Sequence, residues 1–258
     1  MTMEALTGLA LLFGYASLRY LPVMVLPGLS PLAWAPMLVR IATMLAFAWL
    51  TLLSLPDGYV SPTIGQPMAL LVAALGELMI GGIFGLAFML PNAALHTSGW
   101  LLDMQAGLGA GALLNPASAD TQESLLGHGL MLAATVLFFS LDLHVLLFKS
   151  LVATTTVLPL GRMSRPIDAE AFFALLGGSF VGALMVVMPV VLGLFFVDVA
   201  VGYASRSMPQ ANVYFLALPL KVAVALGLLA LTLAYAPGLI GRLFGSALDQ
   251  APQMLGAP

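Results

Sequence analysis

Residues 67–90 read PMALLVAALGELMIGGIFGLAFML, an apolar stretch whose single charge is Glu77 and which is closed by Pro91-Asn92. About 20 apolar residues in a helix cross the roughly 30 Å hydrocarbon layer of a bilayer, so this stretch is long enough to span one. Working outward, five further runs have the same character. On the N-terminal side lie Ala5 to Leu26, bearing Arg19, and Trp34 to Leu55, which stops at Pro56-Asp57-Gly58. On the C-terminal side lie His128 to Leu158, Ala171 to Ala200 and Val213 to Tyr235, followed by a short tail over residues 237–258. Between Ala93 and Gly127 the composition turns small and polar, with Asp103, Gln105, Asp120, Gln122 and Glu123. The pattern predicts an all-α, integral-membrane-type protein of about six hydrophobic helices. Several are broken by proline or glycine, which are tolerated at membrane depth only where neighbours re-satisfy the backbone.

Composition agrees. The chain has 258 residues, 61% hydrophobic and 7% charged, where a soluble domain carries about 25% charged residues; its mean hydropathy is +1.08. Eight Lys or Arg stand against eleven Asp or Glu, with no basic run, and nucleic acid is excluded as a partner because phosphate binding needs a concentrated positive surface. With no cysteine there is no disulfide, thiolate nucleophile or cysteine-ligated metal. The start, with Glu4 and no Lys or Arg before Thr7, lacks the basic region of a cleavable signal peptide, so the first apolar run is expected to stay. No internal repeat and no linker separates folding units, and residues 1–258 read as a single membrane domain.

Charges inside apolar runs face protein or water, since each is costly at a helix centre. Glu77, Asp142, Lys149, Asp198 and Lys221 are of this kind. Glu77, Gly81 and Gly85 fall at i, i+4 and i+8, which puts a carboxylate and two small residues on one helix face; that face is expected to touch another helix. A structural ion pair and a proton or ion relay both fit such a carboxylate. Met104-Gln105-Ala106-Gly107-Leu108-Gly109-Ala110-Gly111, running on to Asn115-Pro116, has too many glycines for a stable helix and too many apolar residues for an aqueous loop. A re-entrant or plug-like segment over 104–116 meets both conditions, as does a loop packed under helices. No enzyme signature is present: His96, His128 and His144 lie in no zinc motif, and there is no phosphate loop, dinucleotide fingerprint or nucleophile elbow. No catalytic residue, metal or cofactor is expected.

Three stretches read in order resemble one family: Gly76-Glu77-Leu78-Met79-Ile80-Gly81-Gly82 leading to Gly85; Gln105-Ala106-Gly107 running to Asn115-Pro116; and Arg206-Ser207-Met208-Pro209-Gln210-Ala211-Asn212-Val213-Tyr214 followed by Pro219-Leu220-Lys221. Together they are similar to the FliR/SctT export-gate proteins of bacterial flagella and type III secretion systems, over nearly the whole chain. Asn115 stands where an acidic residue is expected before proline, and Tyr214 where phenylalanine is usual. The resemblance implies a non-enzymatic subunit of the bacterial inner membrane, in the flagellar basal body. It implies assembly with FliP and FliQ homologues and an FlhB homologue into the entrance of a channel for secreted unfolded proteins. It further implies that Met104, Gln105, Gly107, Gly109, Gly111, Asn115 and Pro116 belong to a plug, and that Arg206, Pro209, Gln210 and Asn212 order a junction at a subunit contact. Glu77, Gly81, Gly85, Asp198 and Lys221 are read as helix-contact positions. The wording Asn212-Val213-Tyr214-Phe215 to Pro219-Leu220-Lys221 is closer to the flagellar branch than to the virulence branch. From a different class, a secondary solute transporter also fits, with Glu77, Asp142 and Asp198 as coupling carboxylates.

Overall fold

The computed structural model describes residues 3–25, 35–55, 59, 67–108, 124–161, 168–208 and 213–251. Among them are seven helices and no strand: α1 Met3–Met24, α2 Met37–Ser54, α3 Pro67–Ala106, α4 Leu125–Ser140, α5 Leu143–Val157, α6 Ala169–Ser207 and α7 Val213–Gln250. Five are long and apolar enough to cross a membrane, and the count is six when α4 and α5 are taken as one broken span. The protein is all-α with the apolar helices of a membrane-embedded bundle.

Three boundaries differ from the sequence reading. Pro91 does not end the third run, because α3 continues through it to Ala106. Proline removes one backbone hydrogen bond, but the following turns bury Ala94, Leu95, Ser98 and Leu102, so tertiary packing carries the helix past the defect. Likewise Pro237 does not open a tail: α7 runs on to Gln250, and Ile240, Phe244, Ala247 and Leu248 are buried at the three-to-four-residue spacing of one helix face. The fourth run, by contrast, is broken. It bends by 68° between α4 and α5 at Asp142, which takes the left-handed conformation with φ 55°. Asp is one of the few non-glycine residues that tolerates it, and its carbonyl accepts from Val145 and Leu146 to start the next helix.

The chain forms two compact units, one of Met1–Leu90, Phe138–Gly177 and Phe244–Pro258, the other of Pro91–Leu137 and Gly178–Leu243. In the first, fully buried Phe88, Phe138 and Phe244 pack ring on ring, with centroids 4.8 Å apart for Phe88 and Phe138 and 5.5 Å for Phe138 and Phe244. Tyr20 of α1 donates or accepts a 2.8 Å hydrogen bond with Thr51 of α2 and stacks on Phe148 of α5. Helices α1 and α3 cross where Gly81 leaves no side chain: a methyl group there would collide with the Arg19 carbonyl oxygen, and one at Gly85 would sit 3.3 Å from that of Pro22. In the second unit, Leu102, Leu130, Val187, Leu194 and Ala225 belong to one buried apolar cluster.

Overpacking a filled contact costs about 1–3 kcal/mol. Gly81→Ala is therefore expected to lower the thermal denaturation midpoint of the detergent-solubilised protein, while Gly82→Ala, which meets nothing within 4 Å and gains helix propensity, leaves it unchanged or raises it. Equal midpoints for the two variants would refute the close approach of α1 and α3.

Candidate functional site

The first unit is organised around a buried ion pair. Glu77 has 0% and Arg19 1% of its surface exposed. The Arg19 guanidinium donates from Nε to Glu77 Oε2 at 2.6 Å and from one terminal nitrogen to Oε1 at 3.1 Å, the bidentate fork that gives arginine–carboxylate pairs their strength and directionality. Two further donors reach Thr154 Oγ1 at 2.8 Å and the Leu158 carbonyl at 3.0 Å. The Gly161 N–H, in a turn where Gly161 has φ 78°, donates to Glu77 Oε1 at 2.8 Å. One charge pair thus joins α1, α3, α5 and the turn after α5. Arg19 lies near the end of its apolar run and escaped the reading of intramembrane charges; its sign, opposite to that of Glu77, was the available signal.

The second unit holds two polar centres. Lys221 of α7, 6% exposed, pairs with Asp198 of α6, which is half-exposed. An open apolar groove of about 310 Å³ lies close by, with Val201 and Ala204 of α6 and Val213 and Leu216 of α7 in its walls. Arg206 is exposed in the last turn of α6, where a cation complements the negative end of the helix dipole. Pro209, Gln210 and Asn212 lie outside the described residues.

The other centre is Asp103, 5% exposed at the end of α3. Its carboxylate accepts from the Ser124 hydroxyl at 2.6 Å and from the Leu126 N–H at 3.2 and 3.3 Å. Ser124 caps α4, accepting from the Gly127 N–H at 2.8 Å, so a carboxylate and a hydroxyl together satisfy the first turn of α4 and oppose its positive end. Helix α3 itself stops at Gly107, φ 83°, with Leu108 N–H bonded to the Asp103 carbonyl and Gly107 N–H to that of Met104. That is the paired hydrogen-bond pattern of a glycine-terminated helix. The glycines therefore end the helix at 107 rather than at Met104: Met104 is exposed and Gln105 half-buried on its last turn, and Gln105 Oε1 finds no donor among the described residues. Gly109, Gly111, Asn115 and Pro116 lie outside the described residues.

His96 and His128 meet edge to face, with ring centroids 5.3 Å apart, beside a crossing of α3 and α4 at which a methyl group on Gly99 would strike the Gly127 backbone. Among the described residues no three His, Cys, Asp or Glu side chains gather as a metal site would require. Asp142 and Lys149 are both exposed, and Asp142 serves the helix break described above.

Removing one partner of a buried charge pair costs about 3–5 kcal/mol, because the other charge is left uncompensated, whereas replacing both with apolar side chains is far milder. Arg19→Met and Glu77→Leu singly are expected to abolish recovery of folded protein, and the double variant to restore part of it, read by size-exclusion yield in mild detergent. Additive losses would contradict the pairing.

The sequence profile of the bacterial export proteins, family 1, matches residues 10–247. The flagellar biosynthetic protein FliR of Caulobacter vibrioides is 30% identical over 214 residues, 82% of this chain and 84% of the relative. FliR of Escherichia coli K12 is 30% identical over 160 residues, 61% of this chain and 60% of the relative. The Yop proteins translocation protein T of Yersinia pestis is 26% identical over 152 residues, 58% of each.

Proposed function

The chain belongs to the FliR/SctT family, the bacterial export proteins of family 1, and from that membership we propose that it is a subunit of the export gate of a flagellar type III protein secretion apparatus. In this reading it sits in the inner membrane and joins FliP, FliQ and FlhB homologues to form the entrance through which unfolded substrates pass. The profile match across residues 10–247 carries the proposal. The flagellar assignment is favoured by the FliR relative that shares 30% identity over 82% of this chain, against 26% over 58% for the translocation protein. The match of that translocation protein keeps a virulence-type secretion gate as the second reading.

Within the gate, residues 104–116 are assigned to the plug and residues 206–212 to a subunit junction, on the strength of the family motifs. Glu77, Gly81, Gly85, Asp198 and Lys221 hold helices together and transfer no proton. The whole chain acts as one gate subunit, and the energy for export comes from elsewhere in the apparatus.

Native mass spectrometry of the tagged chain, expressed alone and with FliP and FliQ homologues of the same genome, tests the assignment. A defined multi-subunit complex is expected only with those partners; a chain that is well behaved alone and ignores them refutes it. In complexes reconstituted into bilayers, deletion of residues 107–111 is expected to leave subunit composition intact and to raise resting ion conductance. Unchanged conductance would remove the plug assignment. Motility restored to a flagellated host lacking its own FliR would separate the flagellar from the virulence reading.

A further inference from the structure

Between Gly177 and Ser205 of α6 the only charged residue is Asp198, and between Val213 and Gly241 of α7 the only one is Lys221. They pair with each other, but unequally: the Lys221 side chain is 8% exposed and that of Asp198 46%. The exposed residues next to Asp198 in the chain, Phe195, Phe196, Val199 and Ala200, are apolar. A half-open carboxylate thus stands in an otherwise hydrocarbon surface, where a charge is costly unless protein or water meets it. The groove between α6 and α7 adjoins the pair, since Val197 and Leu220 in its walls are the chain neighbours of Asp198 and Lys221. Every residue in those walls is apolar, so a segment entering the groove must satisfy its own backbone N–H and C=O groups, as a helix does. Ala200 and Ala204, one turn apart on α6, and Ala217 in the α7 wall allow a helix to approach closely. With a diameter of about 10 Å, a helix seated there covers Asp198 as well.

We propose that this groove receives an apolar helix of a different gate subunit, which presents a hydrogen-bond-donating side chain to Asp198. A carboxylate only accepts, so its occupant must donate. Acyl chains offer no donor. A second copy of this chain in a two-fold contact would set one such face against another, acceptor against acceptor. Glu77 and Asp103 meet the same demand inside the chain, where each takes a backbone N–H or a hydroxyl. The proposal rests on the reading of the chain as a gate subunit, and adds to it the surface and the chemistry of the partner.

The test uses the complex with the FliP and FliQ homologues in mild detergent, with photoreactive p-benzoylphenylalanine replacing Leu216, a groove residue that is 73% exposed. Peptide mapping after irradiation is expected to join position 216 to an apolar segment of another subunit that carries a Lys, Arg, Ser, Thr, Asn or Gln. Cross-links only to lipid, to detergent or to this chain itself overturn the proposal, as does a segment with no such donor. Filling the groove by Ala200→Leu with Ala204→Leu is expected to leave the thermal midpoint of the chain alone unchanged and to lower its incorporation into the complex about tenfold, as overpacking of a contact does. Asp198→Leu with Lys221→Met removes both charges, which avoids the uncompensated ammonium of a single change. That pair is expected to fold and to enter the complex about tenfold less well, the loss of one hydrogen bond to a charged group. Undiminished incorporation of either folded variant overturns the proposal, and where a variant does not fold the cross-link from position 216 decides. A chain that enters no complex with those homologues takes the gate reading down together with this inference. A complex that forms while position 216 reaches only lipid leaves the gate reading standing and removes this inference alone.

Discussion

A guanidinium and a carboxylate withdrawn from water must find every partner inside the protein, and the arrangement of the first unit follows from that requirement at Arg19 and Glu77. Lipid tails are as apolar as leucine, so helices in a bilayer gain little from hiding apolar side chains against one another. Close packing and polar contacts fix their register instead. Here the fork between Arg19 and Glu77 sets α1 against α3 to within hydrogen-bond tolerance, and the further donors to Thr154 and Leu158 bring α5 to the same point. The pair needs the helices closer than side chains would permit, and Gly81 supplies the missing volume beside the Arg19 carbonyl. Charge, glycine and helix crossing meet at one point and support one another.

The second unit uses the same principle with different chemistry. Asp103 meets helix-terminal N–H groups and a hydroxyl rather than a cation, and glycines at the neighbouring rung again permit the approach. Lys221 pairs with Asp198 while its stem lies buried in α7, the arrangement by which a long cationic side chain covers apolar surface and keeps its head near a partner. A single negative group thus replaces the missing partners of a helix start in one place and neutralises an ammonium in the other.

Apolar runs were legible in the sequence because length and hydropathy decide whether a helix fits a bilayer. Their ends were less so: proline and glycine signal termination locally, and α3 and α7 continue through Pro91 and Pro237 because burial on later turns outweighs one lost hydrogen bond. The spacing of Glu77, Gly81 and Gly85 located a helix face, but not what lies against it. Its partner Arg19 is 58 residues away and Gly161 is 84 residues away, and no local pattern encodes a contact at that separation. Asp103 was visible only as one of several polar residues in a small-residue stretch. Its role comes from the fold of α4 around Ser124, which a linear reading cannot supply.

The outward surface bears on the role as well. Tyr203, Tyr235 and Phe196 expose 76%, 81% and 68% of their area, as lipid or a protein neighbour would equally allow. The glycines on the same helices discriminate better. A side chain at Gly177, Gly178 or Gly202 of α6, or at Gly227 or Gly238 of α7, would meet nothing within 4 Å. Glycine inside a helix costs about 1 kcal/mol relative to alanine, and fluid acyl chains give no return for it. Close approach of another helix does, since a surface without side chains lets backbones pack at short range. Open glycine positions on exposed faces, beside an apolar groove between α6 and α7, suit a subunit that receives helices from other chains better than a protein complete in lipid by itself.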